Sequence, residues 1–256
     1  MASFYVDEGR GRFASTPATA GPWDPRAQHG GPPAALLTRA VEALDPARVV
    51  GRLTMELLGP VPVGPLEVRA SVVRPGRSVQ LAEATAYDAQ RDRACARATA
   101  WLFPAGGEAP ATAASAPERG PDQGVVEVPP PSWSRGYLDA IEWRWLEGTI
   151  VEPGPAVVWM RPTVALVEGE PTSPVQRLMT CVDSASGVSG AVDFEKWMFL
   201  NTELTVHVLR PPVGDWVCLA ASTALGGGSV GLATATVSDE RGVVARSAQA
   251  LLVVRR

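Results

Sequence analysis

The side chains best able to act as nucleophiles or metal ligands are few in this chain, and their spacing argues against both uses. Cys95, Cys181 and Cys218 are odd in number and widely separated, there is no Cys-x-x-Cys pair, and only His29 and His207 could join them. That pattern supports neither a disulfide framework nor structural zinc. Lys196 is the only lysine, so Schiff-base chemistry would rest on it alone. Gly227-Gly228-Ser229-Val230-Gly231 matches the Gly-x-Ser-x-Gly nucleophile elbow in letters. An elbow needs a strand, a sharp turn and then a helix, whereas Leu232-Ala233-Thr234-Ala235-Thr236 reads as a strand. The phosphate-loop spacing Gly-x-Gly-x-x-Gly over residues 226–231 falls to the same objection. No metal and no organic cofactor is expected.

What positions the remaining polar residues is a duplication. Residues 53–86 align without a gap on residues 204–237, with 13 of 34 positions identical. After a two-residue difference at a turn, residues 95–98 meet residues 245–247 ahead of the apolar endings 101–103 and 251–253. Each copy alternates apolar and polar residues at the period of a strand and is punctuated by turns, Arg74-Pro75-Gly76-Arg77 in one and Gly226-Gly227-Gly228 in the other. A helix-like segment precedes each copy: Pro32 to Leu44, with proline in its first turn, and Pro174 to about Val188. Residues 104–132 are rich in Pro, Ala and Gly and nearly empty of large apolar groups, as in a linker. Two further strands are expected over 141–146 and 156–161.

At 256 residues, 46% hydrophobic and 20% charged, the chain can bury the core of one large domain or two compact ones. A net charge of −4 gives no general attraction for polyphosphate, which argues against nucleic acid. The longest apolar stretch, Ala248 to Val254 with Gln249 inside it, is far short of the ~20 residues of a membrane span. Residues 1–13 carry Asp7, Glu8, Arg10 and Arg12 and lack the apolar run of a secretory signal, so a cytoplasmic location is expected.

A helix cradled by a curled antiparallel sheet, present twice in one chain, resembles the double-hotdog acyl-CoA thioesterases of the thioesterase II type. The resemblance spans nearly the whole chain. It rests on His29-Gly30-Gly31-Pro32-Pro33-Ala34-Ala35-Leu36-Leu37, on Leu58-Gly59-Pro60, on Val158-Trp159-Met160-Arg161, on Leu209-Arg210-Pro211 and on the closing Val244-Ala245-Arg246-Ser247-Ala248-Gln249, in that order. It implies an α+β fold of two fused hotdog domains, each a long helix wrapped by a curled antiparallel sheet, over residues 1–104 and 131–256 with a linker over 105–130. Two fused domains satisfy in one chain the pairing that single ones reach by dimerising, which leaves a homo-oligomer open.

The resemblance also implies an activity in lipid metabolism: hydrolysis of acyl-CoA, or a related acyl thioester, to free acid and thiol, with CoA as the carrier of the substrate. The family's catalytic Asp falls on Asp183 and its Gln on Gln249. Its Thr position is held by Asn201, with Thr202 next to it, and alternate strand residues face opposite sides, so the two cannot both serve one site. A histidine that the family carries on the strand entering the first repeat is absent from Arg52-Leu53-Thr54-Met55. Thioester hydrolysis needs a base for water and a donor for the oxyanion. Asp183 is the expected base, with Asn201 and Gln249 holding the water, and the donors are backbone N–H groups at Gly30 and Gly31, beside His29, at the positive end of the first helix. Two rivals follow from the same residues. Asp24 and His29 have the Asp-x4-His spacing of hotdog enoyl-thioester hydratases, without the Asn-Pro expected between them. The Thr-to-Asn departure leaves a catalytically silent acyl-thioester binding protein as the other. The tryptophans at 143, 145, 159, 197 and 216 are expected in the core or an interface, with some lining an acyl tunnel.

Overall fold

The computed structural model describes residues 2–107, 110, 112 and 115–256. The first part of the chain forms a hairpin of β1 (Ser3–Gly9) and β2 (Arg12–Ser15), then α1 (Gly31–Glu42) and the meander β3 (Arg48–Leu57), β4 (Pro65–Arg74), β5 (Gln80–Asp88) and β6 (Arg93–Pro104). The second part opens with α2 (Gly136–Ala140), β7 (Ile141–Glu147), β8 (Ala156–Pro162) and β9 (Ala165–Val167). It continues through α3 (Pro174–Val182), α4 (Ala185–Val188) and β10 (Trp197–Asn201) to β11 (Glu203–Val208), β12 (Val217–Leu225), β13 (Val230–Asp239) and β14 (Gly242–Arg255).

All fourteen strands belong to one sheet, in the order β7-β8-β12-β13-β14-β11-β3-β6-β5-β4-β2-β1-β9, with β10 paired to β14. Read outward from the β11–β3 junction, the order is β3-β6-β5-β4-β2-β1 on one side and β11-β14-β13-β12-β8-β7 on the other, so both aligned segments are strands with the same neighbours. The junction is an antiparallel ladder from Glu203↔Glu56 to His207↔Arg52. At the far edge β9 reaches back to pair in parallel with β1, Ser3 opposite Ala165 and Tyr5 opposite Val167.

The inner sheet face beneath α1 is built from small residues. Ala82, Ala84 and Ala86 on β5 and Ala96, Ala98 and Ala100 on β6 are buried, and they let Leu36, Leu37 and Val41 of α1 settle onto the sheet. Each buried Leu contributes about 1.5–3 kcal/mol. α1 also lies against α3, and Gly31 makes that approach available: a Cβ there would stand 2.1 Å from the Thr180 carbonyl oxygen. At the other end of α1 the half-buried Glu42 carboxylate accepts from Ser173 Oγ at 2.9 Å and from Gln176 Nε2 at 2.7 Å, tying α1 to the cap of α3.

Two expectations change. The helix expected to run unbroken from Pro174 to Val188 stops at Val182, and Asp183 and Ser184 interrupt it before α4. Asp183-Ser184-Ala185-Ser186-Gly187 supplies the short polar residues and glycine that compete with helical backbone bonding. The linker does not run free to residue 130. Residues 108, 109, 111, 113 and 114 lie outside the described part, but Arg119 O accepts from Trp159 Nε1 at 3.0 Å and Val125 pairs with Trp145, so residues 119–125 lie on the second half of the sheet. The segment 226–231 is the β12–β13 hairpin, with Gly227 at φ +80° and Gly226 N–H donating to Val230 O. Among the described residues no helix is long and apolar enough to cross a membrane.

Candidate active site

The break after α3 is where the polar residues meet. Asp183 is only 5% exposed, and its Oδ1 accepts from Asn201 Nδ2 at 2.6 Å and from Gln249 Nε2 at 3.1 Å. Asn201 reaches it from the last position of β10, held opposite Leu251 on β14. Gln249, fully buried, stands two residues before Leu251 on the same strand and uses both ends of its amide. Its Nε2 also donates to the Asp183 carbonyl at 3.1 Å, and its Oε1 accepts from Ser186 N–H at 3.1 Å. Residues 18 and 66 positions apart in sequence from Asp183 thus share one carboxylate oxygen.

The second oxygen faces the start of α1. Asp183 Oδ2 lies 3.3 Å from His29 Nδ1, and a Cβ on Gly30 would fall 2.6 Å from that oxygen, so only glycine leaves the carboxylate its place. His29 Nδ1 accepts from Gly31 N–H at 3.1 Å. Pro32 and Pro33 carry no N–H, so the first turn presents few donors, and among the described residues Gly30 N–H has no protein acceptor. Burial pushes His29 below the ordinary imidazole value, against the upward pull of Asp183. The imidazole is therefore neutral near pH 7, with the Nδ1 lone pair engaged by Gly31.

The loop carrying His29 is fixed from several sides. His29 N–H donates to Thr19 O at 2.8 Å, Gln28 N–H to Val61 O at 2.8 Å, and the Gln28 side chain bridges Tyr5 Oη and Pro62 O. Tyr137, on α2, stacks flat on His29 with ring centroids 3.7 Å apart and an angle of 3°. Its hydroxyl donates to Thr180 O at 2.8 Å and lies 2.9 Å from Ser184 Oγ, so one buried phenol braces both the histidine and the break that carries Asp183. Burial raises the Tyr137 hydroxyl well above its ordinary value, which keeps it a neutral donor. Sequence reasoning missed Tyr137, whose only signal was a bulky polar residue just ahead of an apolar strand.

The other expected residues fall elsewhere. Thr202 is exposed between β10 and β11, its Oγ1 donating to Ala250 O at 3.3 Å, so of the two neighbours Asn201 faces the carboxylate. The Asp24 carboxylate is held by Arg26 at 2.9 Å, and His29 Nδ1 faces Asp183 instead, which leaves the hydratase pair unassembled. Arg144 and Arg161 both bind Glu142. Lys196 pairs with Asp193 at 2.9 Å on the surface. The three cysteines are free and buried, and burial pushes Cys95 up to about 11, Cys218 up to about 12, and raises Cys181 as well. None is a nucleophile at neutral pH. Among the described residues no cluster of His, Cys, Asp and Glu could hold a metal ion.

Asp183, His29, Gly30 and Asn201 border a cavity of about 610 Å³. Beyond them its walls include Trp143, Trp145, Leu138 and Val188, so two of the five singled-out tryptophans line it. Trp159 is in the core, Trp197 is exposed on β10, and Trp216 lies under the Arg161 guanidinium. The arrangement offers a carboxylate oxygen with free lone pairs and an unused backbone donor at the mouth of an apolar chamber.

Comparison with known proteins fits this geometry. The sequence model for the acyl-CoA thioesterase N-terminal domain matches residues 19–103, and that for the acyl-CoA thioesterase C-terminal domain matches residues 110–253. No curated protein matches the chain. Among solved structures, a putative thioesterase II from Thermobifida fusca is 20% identical with TM-score 0.79, covering 99% of this chain and 96% of its own. The tesB protein of Mycobacterium avium subs paratuberculosis is 19% identical with TM-score 0.69, covering 98% and 96%. A conserved protein of unknown function with a hot dog fold, from Alicyclobacillus acidocaldarius, is 18% identical with TM-score 0.75, covering 98% and 95%. The fold of this chain is the hotdog fold.

Proposed function

The chain belongs to the acyl-CoA thioesterase family and hydrolyses acyl-CoA thioesters, and from that premise we propose that Asp183 is its general base. The reading rests on one observation: Oδ1 of Asp183 is taken by two amide donors while Oδ2 faces the start of α1, and the residue lines the cavity. Asn201 and Gln249 then act on the carboxylate and not on the water, fixing its plane. A water on Oδ2 attacks the thioester carbon and gives its proton to Oδ2. The developing oxyanion takes the Gly30 N–H, where the helix dipole adds a partial positive charge. Collapse breaks the C–S bond, and the proton on Oδ2 leaves with the CoA thiolate as free thiol. His29 holds the Gly31 N–H and the shape of the oxyanion turn.

We further propose that the chain is two fused hotdog domains over residues 1–104 and 131–256. The repeated strand order on either side of the β11–β3 junction supports this. Residues 119–125, ahead of the second domain, pack on its half of the sheet. A thiol-release assay over a panel of acyl-CoAs, run beside an enoyl-CoA hydration assay, tests the activity. Thiol release that Asp183→Asn abolishes is the expected result; release that survives that change removes Asp183 as the base.

A further inference from the structure

A second cavity, of about 600 Å³, lies against the first, and the two have the aromatic side chains Trp23, Trp133 and Phe194 in common. Phe194 sits at the centre of this partition. Its ring centroid is 5.7 Å from that of Trp23, 5.1 Å from Trp133 and 5.1 Å from Phe199. The ring rests on Gly190, where a Cβ would stand 3.2 Å from Phe194 Cζ. Phe194 belongs to the irregular segment between α4 and β10 and is only half-buried, so its ring is held by stacking on neighbours and not by a helix or strand.

The two cavities differ in chemistry. The catalytic one is lined by Leu138, Trp143 and Val188, which suits a hydrocarbon. The far one is bordered by Asp193, Glu195 and Arg256, which does not, and Arg256 stands over the Trp23 ring at 5.1 Å. Asp183 and the partition residues line this one cavity, so an acyl chain that runs from Asp183 along it meets Trp23, Trp133 and Phe194 where the two cavities adjoin.

Building on the acyl-CoA reading, we propose that Phe194, with Trp23 and Trp133, is the specificity-determining wall that sets the longest acyl chain this enzyme accepts. Chains that stop short of the wall gain apolar contact with each methylene, and chains that exceed it must displace the ring or fold back. The wall needs no polar group, because its selectivity is steric.

The test uses non-hydrolysable S-alkyl-CoA thioethers of increasing chain length as inhibitors, alongside acyl-CoA hydrolysis over the same lengths. In the wild type, affinity should rise roughly fourfold per methylene up to a break-point and then fall. Phe194→Ala opens the first cavity into the second and should move the break-point two or more carbons longer, a gain of about fifteenfold for the first two methylenes admitted. Phe194→Trp should move it shorter. Trp197→Ala, on the exposed face of β10, should leave it where it is. If Phe194→Ala does not fold, Phe194→Leu and Trp133→Leu carry the same expectation. A break-point unmoved in folded Phe194 and Trp133 variants, or no break-point in the wild type, overturns the proposal. Thioether binding reads the wall whether or not Asp183 is the base, so failure of the catalytic reading leaves this result intact.

Discussion

Asp183→Asn separates the charge of the site from its architecture. Oδ1 of Asp183 accepts from Asn201 at 2.6 Å and from Gln249 at 3.1 Å, and an asparagine keeps a carbonyl oxygen for both. Its amide nitrogen then takes the place of Oδ2, 3.3 Å from His29 Nδ1, where a donor meets a lone pair instead of a second acceptor. The two side chains have nearly the same volume, so the carboxylate-sized space against Gly30 stays filled. Stability should therefore hold to within about 1 kcal/mol, the scale of one exchanged hydrogen bond. Turnover should fall about 10²- to 10⁴-fold, the range that a positioned general base supplies. Asp183→Ala is the poorer probe, because it strands two buried amides at about 1–3 kcal/mol each and mixes unfolding with loss of chemistry. Release of CoA thiol, followed with a thiol-reactive chromophore, reads the rate, and thermal unfolding by circular dichroism reads the fold. A folded Asp183→Asn protein within a few-fold of wild-type turnover would refute the assignment.

The two glycines at the start of α1 should respond differently. Gly31→Ala drives a Cβ into the Thr180 backbone at 2.1 Å, so α1 and α3 must part, and the melting temperature should fall by the equivalent of about 1–3 kcal/mol or more. Gly30→Ala meets only the Asp183 carboxylate, and kcat should drop well before stability does. Gln249→Ala leaves the Ser186 N–H buried without its acceptor, so a loss of about 1–3 kcal/mol in denaturant unfolding should accompany a smaller fall in kcat than Asp183→Asn gives. Asp239 carries a pH signature. Burial pushes its pKa up, but the Arg210 guanidinium and the N–H groups of Val213 and Arg241 outweigh this and hold it below the unfolded value of 3.8. Its stabilisation is thus present above pH 3.8 and lost as pH falls through the folded value, and Asp239→Asn should flatten that part of the acid limb in pH-dependent unfolding.

The sheet was legible because duplication reads backbone geometry directly. Continued at the same offset just past its 34 residues, the ungapped alignment puts Asp88 opposite Asp239, and both close the turn after the third strand of their meander by accepting backbone N–H groups. Duplication could not reach the β1–β2 hairpin or the parallel β1–β9 pairing, because both are single occurrences, and the partners of the second lie far apart along the chain. In the site, Asp183, Asn201 and Gln249 were named in advance through resemblance, with their roles partly inverted: the amides bind the carboxylate directly. The approach of His29 to Asp183 and the stacking of Tyr137 were beyond reach. Each depends on how two elements from different parts of the chain pack, and no local pattern encodes that.

The same duplication shows why the chemistry is built once per chain. In β14, Gln249 pairs with Ala233, and the equivalent register in the first copy pairs Ala100 with Ala82. Asn201 sits opposite Leu251, and its counterpart Val50 sits opposite Leu102. Val50 and Ala100 are buried and apolar, so the first copy packs hydrocarbon where the second holds a carboxylate in place. The helix starts show the reverse asymmetry. At α3, Ser173 accepts from Gln176 N–H and donates to Glu42, so that end is closed by its own capping box. At α1, glycine takes the cap position and offers no side chain, which leaves the Gly30 N–H for a substrate oxygen. In the proposed mechanism one copy supplies the donor and the other the base, and the close approach of Gly31 to Thr180 brings the two together. Neither half alone carries the pair.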